Sequence, residues 1–500
     1  KKPWEIAEQL AGALQMVPDD LFERLGRHAD KHFLWVKRRL TDDEVERVRN
    51  LALPTEVYGF RPEYRRIYPQ GVLAAQVIGM RNVDGQGQGG IEEQFETTLK
   101  GEPGRRTLTR DARGRVIDIT TDTEHTVQEG QPITLALDSV IQIFAEAELD
   151  RLMREFQPES GCAIVLDPQT GDVLAMASRP TIDPNHPENA SPDAWKNRAI
   201  ADIYEPGSTF KPMIVAYGLD QQLIQRDDEF HCGHGQYRMG RRVLHDHHGY
   251  GLLSLTDVLV KSSNIGMAKV GERLTNSGLF AAASRFGFGQ PTGIELPGEL
   301  SGILRPLEQW TSYSTGSIPM GHEIATTPLQ LIRAHAALAN GGRLLRPRMV
   351  LEEPDRTGSS SSVPGETIVG RNAAEWVVSV PMQEVITRGT GKKAQIPGYD
   401  VFGKTGTAQS LSPHGGYRHG KYIASFVCGA PVETPQLLVL VVVNQATTGG
   451  EAFGGRVAAP AAAAILQQAL EYRHIPRDPT QTVPAKSVAR QAQRANPGRR

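Results

Sequence analysis

The 500-residue sequence has few cysteines, almost no net charge and no long apolar run, and each of these absences excludes a class of protein. It has only three cysteines, Cys162, Cys232 and Cys428, in no CxxC pair, so it carries no disulfide framework. Lys plus Arg number 55 and Asp plus Glu number 57, which argues against a basic nucleic-acid-binding protein and against an acidic disordered chain. No apolar run approaches the roughly 18 residues of a membrane helix. The most apolar run, residues 437–443, has the length of a strand.

The length allows about two to four domains with apolar cores that need no disulfide or metal. Residues 1–53 are charged with helical spacing, and Thr41 opens a helix over residues 41–49 with a capping signature. Residues 54–135 carry short β-type runs and many glycines. No Lys-Ser or Lys-Thr pair follows the glycine-rich run at 85–90, so we expect no nucleotide phosphate there.

The pattern changes near residue 135 and then indicates a mixed domain. The predicted elements are an amphipathic helix over 140–156, a β-hairpin over 162–177, a helix-rich stretch over 205–340, strands over 401–409, 422–431 and 437–444, and an alanine-rich helix over 460–472. A hairpin, a helical insert, three more strands and a closing helix predict an α/β sandwich on an antiparallel sheet. After about residue 476 the chain is rich in Pro, Gln and Arg, and we expect disorder.

A serine and a lysine lie three residues apart in Glu205-Pro-Gly-Ser208-Thr-Phe-Lys211. If Ser208 opens a helix after the Pro-Gly turn, Lys211 lies on the same face one turn later. A serine needs a neighbouring base to act as a nucleophile, and a lysine can serve once burial or nearby positive charge lowers its pKa. Taken alone, the spacing is more typical of an ordinary helix cap.

Two later segments add further polar groups. Ser262 and Asn264 offer a hydroxyl and an amide on one side of a loop. Ser262 follows Ser208 by 54 residues. The third segment is Lys404-Thr405-Gly406-Thr407, which follows a strand-like stretch. A lysine and hydroxyls on a strand, with a glycine that lets another backbone approach, suit a peptide that ends in a carboxylate and docks edge-on.

In this order, the SxxK, SxN and KTG segments form the signature of penicillin-binding proteins and serine β-lactamases. The chain resembles a class B penicillin-binding protein, a monofunctional peptidoglycan D,D-transpeptidase. The resemblance covers roughly residues 55–472. Besides the motifs, it extends to residues 68–79, 89–95, 99–104, 163–176, 326–331 and 336–342.

The resemblance implies a fold and a domain organisation. Residues 136–475 would form a serine penicillin-recognising transpeptidase domain, with a five-stranded antiparallel sheet, helices on both faces and a helical subdomain. Residues 1–135 would form an elongated, non-catalytic α+β pedestal that is truncated at its start, and residues 476–500 a disordered tail.

The resemblance also implies a role for each motif residue. Ser208 would attack the carbonyl between the two terminal D-alanines of a stem peptide, and Lys211 would take its proton. Ser262 would relay a proton to the departing D-alanine with Lys404 tuning it, and Asn264 would hold Lys211 and the substrate amide. The substrate-binding residues would be Thr405, Gly406 and Thr407, with Lys404 sharing the terminal carboxylate, and the backbone N–H groups of Ser208 and Thr407 would form the oxyanion hole.

The implied partners are peptidoglycan stem peptides, β-lactam antibiotics, a glycosyltransferase, and other division or elongation proteins, with no nucleic acid, no cofactor and no metal. The family usually has an amino-terminal membrane helix and an RGxIxDRNG-type motif, and neither occurs in these 500 residues. We therefore expect a membrane anchor upstream of Lys1. The protein itself would lie in the bacterial cell envelope, at the extracytoplasmic face of the cytoplasmic membrane.

Three alternative functions stay open from the residues alone. A β-lactamase needs a group that activates water for deacylation, and no motif here is assignable to that role. A D,D-carboxypeptidase would hand the acyl group to water, so the acceptor distinguishes it from a transpeptidase. A scaffolding protein would use the first 130 residues to bind division or elongation proteins, and the site would be secondary.

Residues 231–248 contain a histidine-rich stretch, with His231, Cys232 and His234 followed by His245, His247 and His248. These side chains suit zinc, but their spacing matches no standard zinc pattern, so surface histidines beside a buried thiol are the preferred interpretation. Cys162 and Cys428 each lie in a predicted core strand, where a packing role is more typical than a reactive one. A disulfide between these two would require neighbouring strands.

Overall fold

In a computed structural model of the chain, the structure describes residues 3–31, 33–51, 53–54, 57–102, 104, 106–112, 116–121, 126–351, 365–411, 416–446 and 453–478. The chain divides into two compact units. The first comprises Lys1–Pro69 and Met80–Gln88, and the second comprises Gln70–Gly79 and Gly89–Arg500. The domain boundary at residue 135 stays a prediction. The predicted disordered tail lies, from residue 479 onward, outside the described residues.

The first unit is built on three helices, which are α1 (Pro3–Leu14), α2 (Pro18–Arg27) and α3 (Asp42–Arg49). One apolar stripe of α1 faces the core of this unit, where Leu10 and Leu14 pack with Leu21. The predicted capping signature is confirmed. Thr41 Oγ1 accepts from Glu44 N at 3.3 Å, and Glu44 Oε2 accepts from Thr41 N at 3.0 Å, so two otherwise unpaired backbone donors of α3 are satisfied.

The second unit is organised around a five-stranded antiparallel sheet. Its strands are β1 (Ser160–Leu166), β2 (Val173–Arg179), β3 (Phe402–Leu411), β4 (Tyr417–Ala430) and β5 (Leu437–Asn444). The order across the sheet is β3-β4-β5-β1-β2, so β3 is an edge strand and β5 is central. The predicted hairpin and the three later strands are confirmed. The strand β5 has the predicted limits, whereas β4 begins at Tyr417, earlier than the predicted residue 422.

Helices cover both faces of this sheet, which explains the uninterrupted apolar run of β5. Alternate residues of β5 belong to different cores: Val439 and Val441 to one, Leu438 and Leu440 to the other. All seven residues from 437 to 443 are buried. A strand that is buried on both faces needs a continuous apolar run, whereas a half-exposed strand alternates.

The longer helices of the second unit are α4 (Ser139–Phe156), α5 (Lys211–Asp220), α6 (Asn264–Arg285), α7 (Pro328–Ala339) and α8 (Gly454–Tyr472). The predicted helix over 140–156 is confirmed as α4, whose first turn is capped by Asp138. The predicted start of the last helix at Pro460 is wrong, because α8 begins at Gly454 and contains Pro460. The earlier start is stabilised by a close contact between Gly454 and the backbone of β3, described below.

Shorter elements connect these. The short helices are Ala75–Ile78, Gly90–Gln94, Glu96–Lys100, Arg198–Ala201, Leu255–Val260, Ser314–Ser317, Arg371–Val377 and Gln383–Thr387. The short strand pairs are Met80–Arg81 with Gly87–Gln88, Arg106–Arg110 with Val116–Thr121, Thr134–Leu135 with Val350–Leu351, Glu229–His231 with Leu252–Ser254, Gln236–Met239 with Arg242–His245, Ile303–Leu304 with Ile324–Ala325, and Arg343–Leu344 with Glu366–Thr367. Within the described ranges, none of the helices combines the length and the apolar character that crossing a membrane requires.

Candidate active site

The first motif is a tight turn that leads directly into a buried helix. Gly207–Phe210 form one turn of 3-10 helix, and α5 begins at Lys211. Gly207 has a φ of +56°, and a Cβ atom there would lie 3.0 Å from Thr407 O, so this turn packs closely against β3. Ser208 is half-buried, whereas Lys211 is fully buried. The predicted turn-to-helix arrangement is confirmed.

The Lys211 amine is held by the second motif. Its Nζ donates to Ser262 O at 2.7 Å, to Asn264 Oδ1 at 2.9 Å and to Ser263 O at 3.2 Å, and it lies 3.4 Å from Ser262 Oγ. Among the described residues, Lys211 Nζ donates no hydrogen bond to Ser208 Oγ. A hydrogen bond between a nucleophile and its base often tightens only when substrate is bound.

Burial changes the chemistry of this amine. Loss of solvation lowers the pKa of Lys211 to about 7, and the nearby Asp246 carboxylate acts in the opposite direction by raising it. An ordinary lysine, with a pKa of about 10.4, would be almost wholly protonated at neutral pH. A substantial fraction of Lys211 is therefore neutral near pH 7, as a general base must be.

The second motif lies between the short helix Leu255–Val260 and α6. Ser262 has a φ of +58°, a left-handed conformation that a serine rarely adopts, and this directs its carbonyl oxygen to Lys211. Ser263 caps α6, since its Oγ accepts from Gly266 N at 2.9 Å. Asn264 is the first residue of α6. The structure thus brings both predicted residues of this motif to the Lys211 amine.

The third motif reaches the same serine from the edge of the sheet. Lys404 lies on β3, is fully buried, and donates from Nζ to Ser262 Oγ at 2.9 Å and to Thr405 O at 3.1 Å. Burial lowers the pKa of Lys404 well below its ordinary value, and repulsion from Lys211 lowers it further. Two buried amines that share one hydroxyl disfavour a doubly charged state, so this site favours loss of a proton.

The remaining residues of the third motif line the edge of β3. Thr405 Oγ1 is 2.8 Å from Thr390 Oγ1, and Thr407 Oγ1 accepts from Gly454 N at 3.2 Å. A Cβ atom on Gly406 would lie 2.2 Å from Ser425 Oγ and 2.8 Å from a Thr209 methyl group. Only a glycine therefore allows β3 to pack so closely against the turn that bears Ser208.

Two buried side chains beside the first motif were not found from the sequence. His335, on α7, has its Nε2 3.0 Å from Thr209 O, and burial lowers its pKa to about 4, so it is neutral at pH 7. Glu205 accepts from His322 Nδ1 at 2.8 Å and from Glu323 N at 3.0 Å. Both partners are more than 100 residues away along the chain, and no local pattern points to them.

The histidine-rich stretch does not gather around one point. The rings of His231 and His234 are 5.8 Å apart, while His247 packs against Phe453 at 5.7 Å. Over the ranges that the structure covers, no group of three or more His, Cys, Asp or Glu side chains is placed to hold a metal ion. Cys232 is buried, with its Sγ 3.5 Å from Ser263 Oγ.

The other two cysteines are buried in the sheet. Cys162 lies on β1 and Cys428 on β4, with the central strand β5 between them. The neighbouring strands that a disulfide would need are therefore not present for this pair, and both thiols are free. Burial raises the pKa of each thiol above its ordinary value, which agrees with the predicted packing role.

Close packing at Gly454 joins α8 to the third motif, and a substitution tests it. A Cβ atom on Gly454 would lie 2.2 Å from Ser425 O and 2.3 Å from Gly406 O. We expect Gly454→Ala to lower the melting temperature by an amount equivalent to about 1–3 kcal/mol, because α8 must move away from the sheet. The matched control is Gly278→Ala in α6, where the nearest atom is 3.5 Å away and a small gain is expected. An unchanged melting temperature for Gly454→Ala would contradict the close contact.

Comparison with known proteins shows the family to which the chain belongs. Residues 161–467 match the penicillin binding protein transpeptidase domain, and residues 1–135 match the penicillin-binding protein dimerisation domain. The chain is 34% identical over 469 residues to the peptidoglycan D,D-transpeptidase FtsI of Escherichia coli (strain K12), a match covering 94% of this chain and 77% of that protein. It is 32% identical over 479 residues to the stage V sporulation protein D of Bacillus subtilis (strain 168), covering 94% and 73%.

Solved structures give the same result. Penicillin binding protein 3 of Mycobacterium tuberculosis, complexed with ampicillin, aligns with a TM-score of 0.74 and 28% identity over 84% of this chain and 91% of that one. All three motifs lie inside the matched transpeptidase domain, which accounts for more than half of the chain. The chain therefore belongs to the class B penicillin-binding proteins, the family of peptidoglycan D,D-transpeptidases such as FtsI.

Proposed function

We propose that this protein cross-links peptidoglycan stem peptides through an acyl-enzyme on Ser208 and is acylated by β-lactams at the same serine. The observation that carries this proposal is the convergence of two buried lysine amines on Ser262, with Lys211 close to neutral at physiological pH. Two lysine amines cannot form an ion pair with each other, because neither can carry a negative charge. The pair suits a site that accepts and returns protons.

Acylation uses the first motif. Ser208 attacks the carbonyl carbon between the two terminal D-alanines of a stem peptide, and neutral Lys211 takes the hydroxyl proton. The oxyanion that forms is stabilised by the backbone N–H groups of Ser208 and Thr407, on the turn and the adjacent edge strand. Close packing of Gly207 against Thr407 supports this assignment, since it brings the two backbones together.

Departure of D-alanine uses the second motif. The leaving amine needs a proton, and Ser262 Oγ can deliver one because it lies 3.4 Å from Lys211 Nζ and 2.9 Å from Lys404 Nζ. Asn264 holds Lys211 through its Oδ1, which leaves its amide NH₂ group for the substrate backbone. The proton taken from the nucleophile thus returns through Ser262 to the leaving group.

The terminal carboxylate is bound by the third motif. Lys404 supplies an amine donor, and the hydroxyls of Thr405 and Thr407 supply further donors along β3. Because β3 is an edge strand, an extended stem peptide can add to it, and Gly406 lets β3 pack closely against the turn that bears Ser208. A β-lactam presents a similar carboxylate and amide carbonyl, so it enters the same groove and stalls as the acyl-enzyme.

Product analysis tests this function. With a donor stem peptide and an amine-bearing acceptor stem, we expect a cross-linked dimer and free D-alanine. The amount of dimer formed per D-alanine released should rise with acceptor concentration. The omission of acceptor is the matched control. Release of D-alanine with no dimer would identify a D,D-carboxypeptidase, and rapid release of a hydrolysed β-lactam would identify a β-lactamase. Either result would contradict the transpeptidase assignment.

The cellular setting is part of the same proposal. Relatives of this chain are named peptidoglycan D,D-transpeptidases, and we infer that the protein lies at the extracytoplasmic face of the cytoplasmic membrane, held by an anchor that precedes Lys1. A glycosyltransferase that makes the glycan strands, together with division or elongation proteins, would be the partners of residues 1–135. The scaffolding alternative predicts that a Ser208→Ala chain still supports growth of cells that depend on this protein.

A further inference from the structure

Asp246 lies inside the histidine-rich stretch and contacts the second motif through three hydrogen bonds. Its Oδ1 accepts from Asn264 N at 2.5 Å and from Ile265 N at 3.1 Å. Its Oδ2 accepts from Ser263 Oγ at 2.6 Å. The short strand pair Gln236–Met239 and Arg242–His245 delivers this carboxylate to the start of α6, about 20 residues upstream of its partners along the chain.

These bonds reach the residues that hold the catalytic amine. Lys211 is bound by the carbonyls of Ser262 and Ser263 and by the Asn264 side chain. Asp246 fixes Ser263 through its hydroxyl and Asn264 through its backbone N–H. A shift of Asp246 would therefore move the acceptors of Lys211 although Asp246 forms no hydrogen bond with Lys211 itself.

The charge of Asp246 acts on the same site. It raises the pKa of Lys211 against the larger effect of burial, and together with burial it raises the pKa of Cys232 and of Tyr250. The titratable groups on which it acts are thus Lys211 on α5, and Cys232 and Tyr250 on the neighbouring loops. Lys269, one turn into α6, is a further cation that acts on Cys232.

We propose that Asp246 is a positioning residue for acylation, which fixes the second motif and supplies a negative charge close to the buried Lys211 amine. This rests on the proposed function, because it assumes that Lys211 is the base for Ser208. A purely structural carboxylate would affect the amount of folded protein. A positioning carboxylate must also change how the rate of acylation depends on pH.

The test is the pH dependence of acylation by a fluorescent penicillin in wild type, Asp246→Asn and the exposed control Asp227→Asn. In wild type we expect the acylation rate constant to rise with pH and to be half-maximal near pH 7, where Lys211 loses its proton. Asparagine keeps an acceptor for the helix N–H groups but removes the charge, so protonated Lys211 is less stabilised. We expect the midpoint to fall by about half a pH unit or more, and the plateau rate to fall by about 3- to 10-fold.

A further variant makes the result decisive. Asp246→Ala removes both acceptor oxygens and so all three hydrogen bonds, and we expect its plateau rate to fall about 10- to 100-fold with the same direction of midpoint shift. The midpoint is independent of the amount of folded protein, so partial unfolding does not hide it. A wild-type midpoint with either variant, or a midpoint at higher pH, would overturn the proposal. In that case normal acylation of wild type at Ser208 would leave the proposed function intact.

Discussion

Replacing Lys211 by alanine is expected to slow acylation by a fluorescent penicillin by about a thousandfold or more, since general-base catalysis supplies about 10²–10⁴ in rate. The buried amine is the proton acceptor for Ser208 in the proposed mechanism. Its loss also leaves the carbonyls of Ser262 and Ser263 without their shared donor, which disturbs the second motif. The measurement is the rate of appearance of the covalent complex, with penicillin in excess.

Lys211→Arg is the informative control for this substitution. Arginine can still donate to the acceptors in the second motif, but it keeps its proton at every accessible pH and cannot act as a base. We therefore expect Lys211→Arg to be as slow as Lys211→Ala. If arginine restored more than about a tenth of the wild-type rate, the lysine would serve as a hydrogen-bond donor and not as a base.

Ser208→Ala is expected to abolish both reactions of the protein. Without Oγ no acyl-enzyme can form, so labelled penicillin should give no covalent complex, and donor and acceptor stems should give no dimer. Ser208 is half-buried in the turn that precedes α5, so removal of one oxygen should leave the melting temperature close to that of wild type. The matched control is Ser191→Ala, at an exposed serine whose side chain caps no helix.

Any labelling of Ser208→Ala above that of heat-denatured protein would contradict the assignment of the nucleophile. A loss of labelling together with a large drop in melting temperature would be judged against Gly454→Ala, which lowers stability without removing a reacting group. Folded Gly454→Ala should keep measurable acylation, slowed because the added methyl group displaces Gly406 of the third motif, whereas folded Ser208→Ala should show none. The two variants therefore separate a chemical loss from a structural one.

Much of the site follows from local sequence, because each motif is set by its own turn or strand. The turn before Lys211 and the edge strand with Lys404 have the form that their residues predict. Local sequence does not predict that the motifs converge on Ser262, because Lys404 is 142 residues away from it along the chain. The ordered motifs indicate this convergence only through the resemblance to a known family.

The site residues that the sequence did not indicate contact partners that are distant along the chain. Asp246 stands in a run of histidines that suggests zinc ligands, and only the fold places its carboxylate at the start of α6. His335 lies in the alanine-rich helix α7 between two alanines, and its contact with Thr209 O depends on how α7 packs beside α5. The start of α8 was misplaced for a similar reason, because Gly454 gains a tertiary contact that outweighs the signal of Pro460.

The most direct test of the account is the identity of the acylated residue in wild type. The protein is treated with benzylpenicillin at pH 7, digested, and its peptides are sequenced by mass spectrometry. The account predicts one added penicilloyl group per chain, attached to the peptide that contains Ser208, and none on the same peptide from Ser208→Ala. An adduct on Ser262, on Cys232 or on any residue outside the first motif would contradict it.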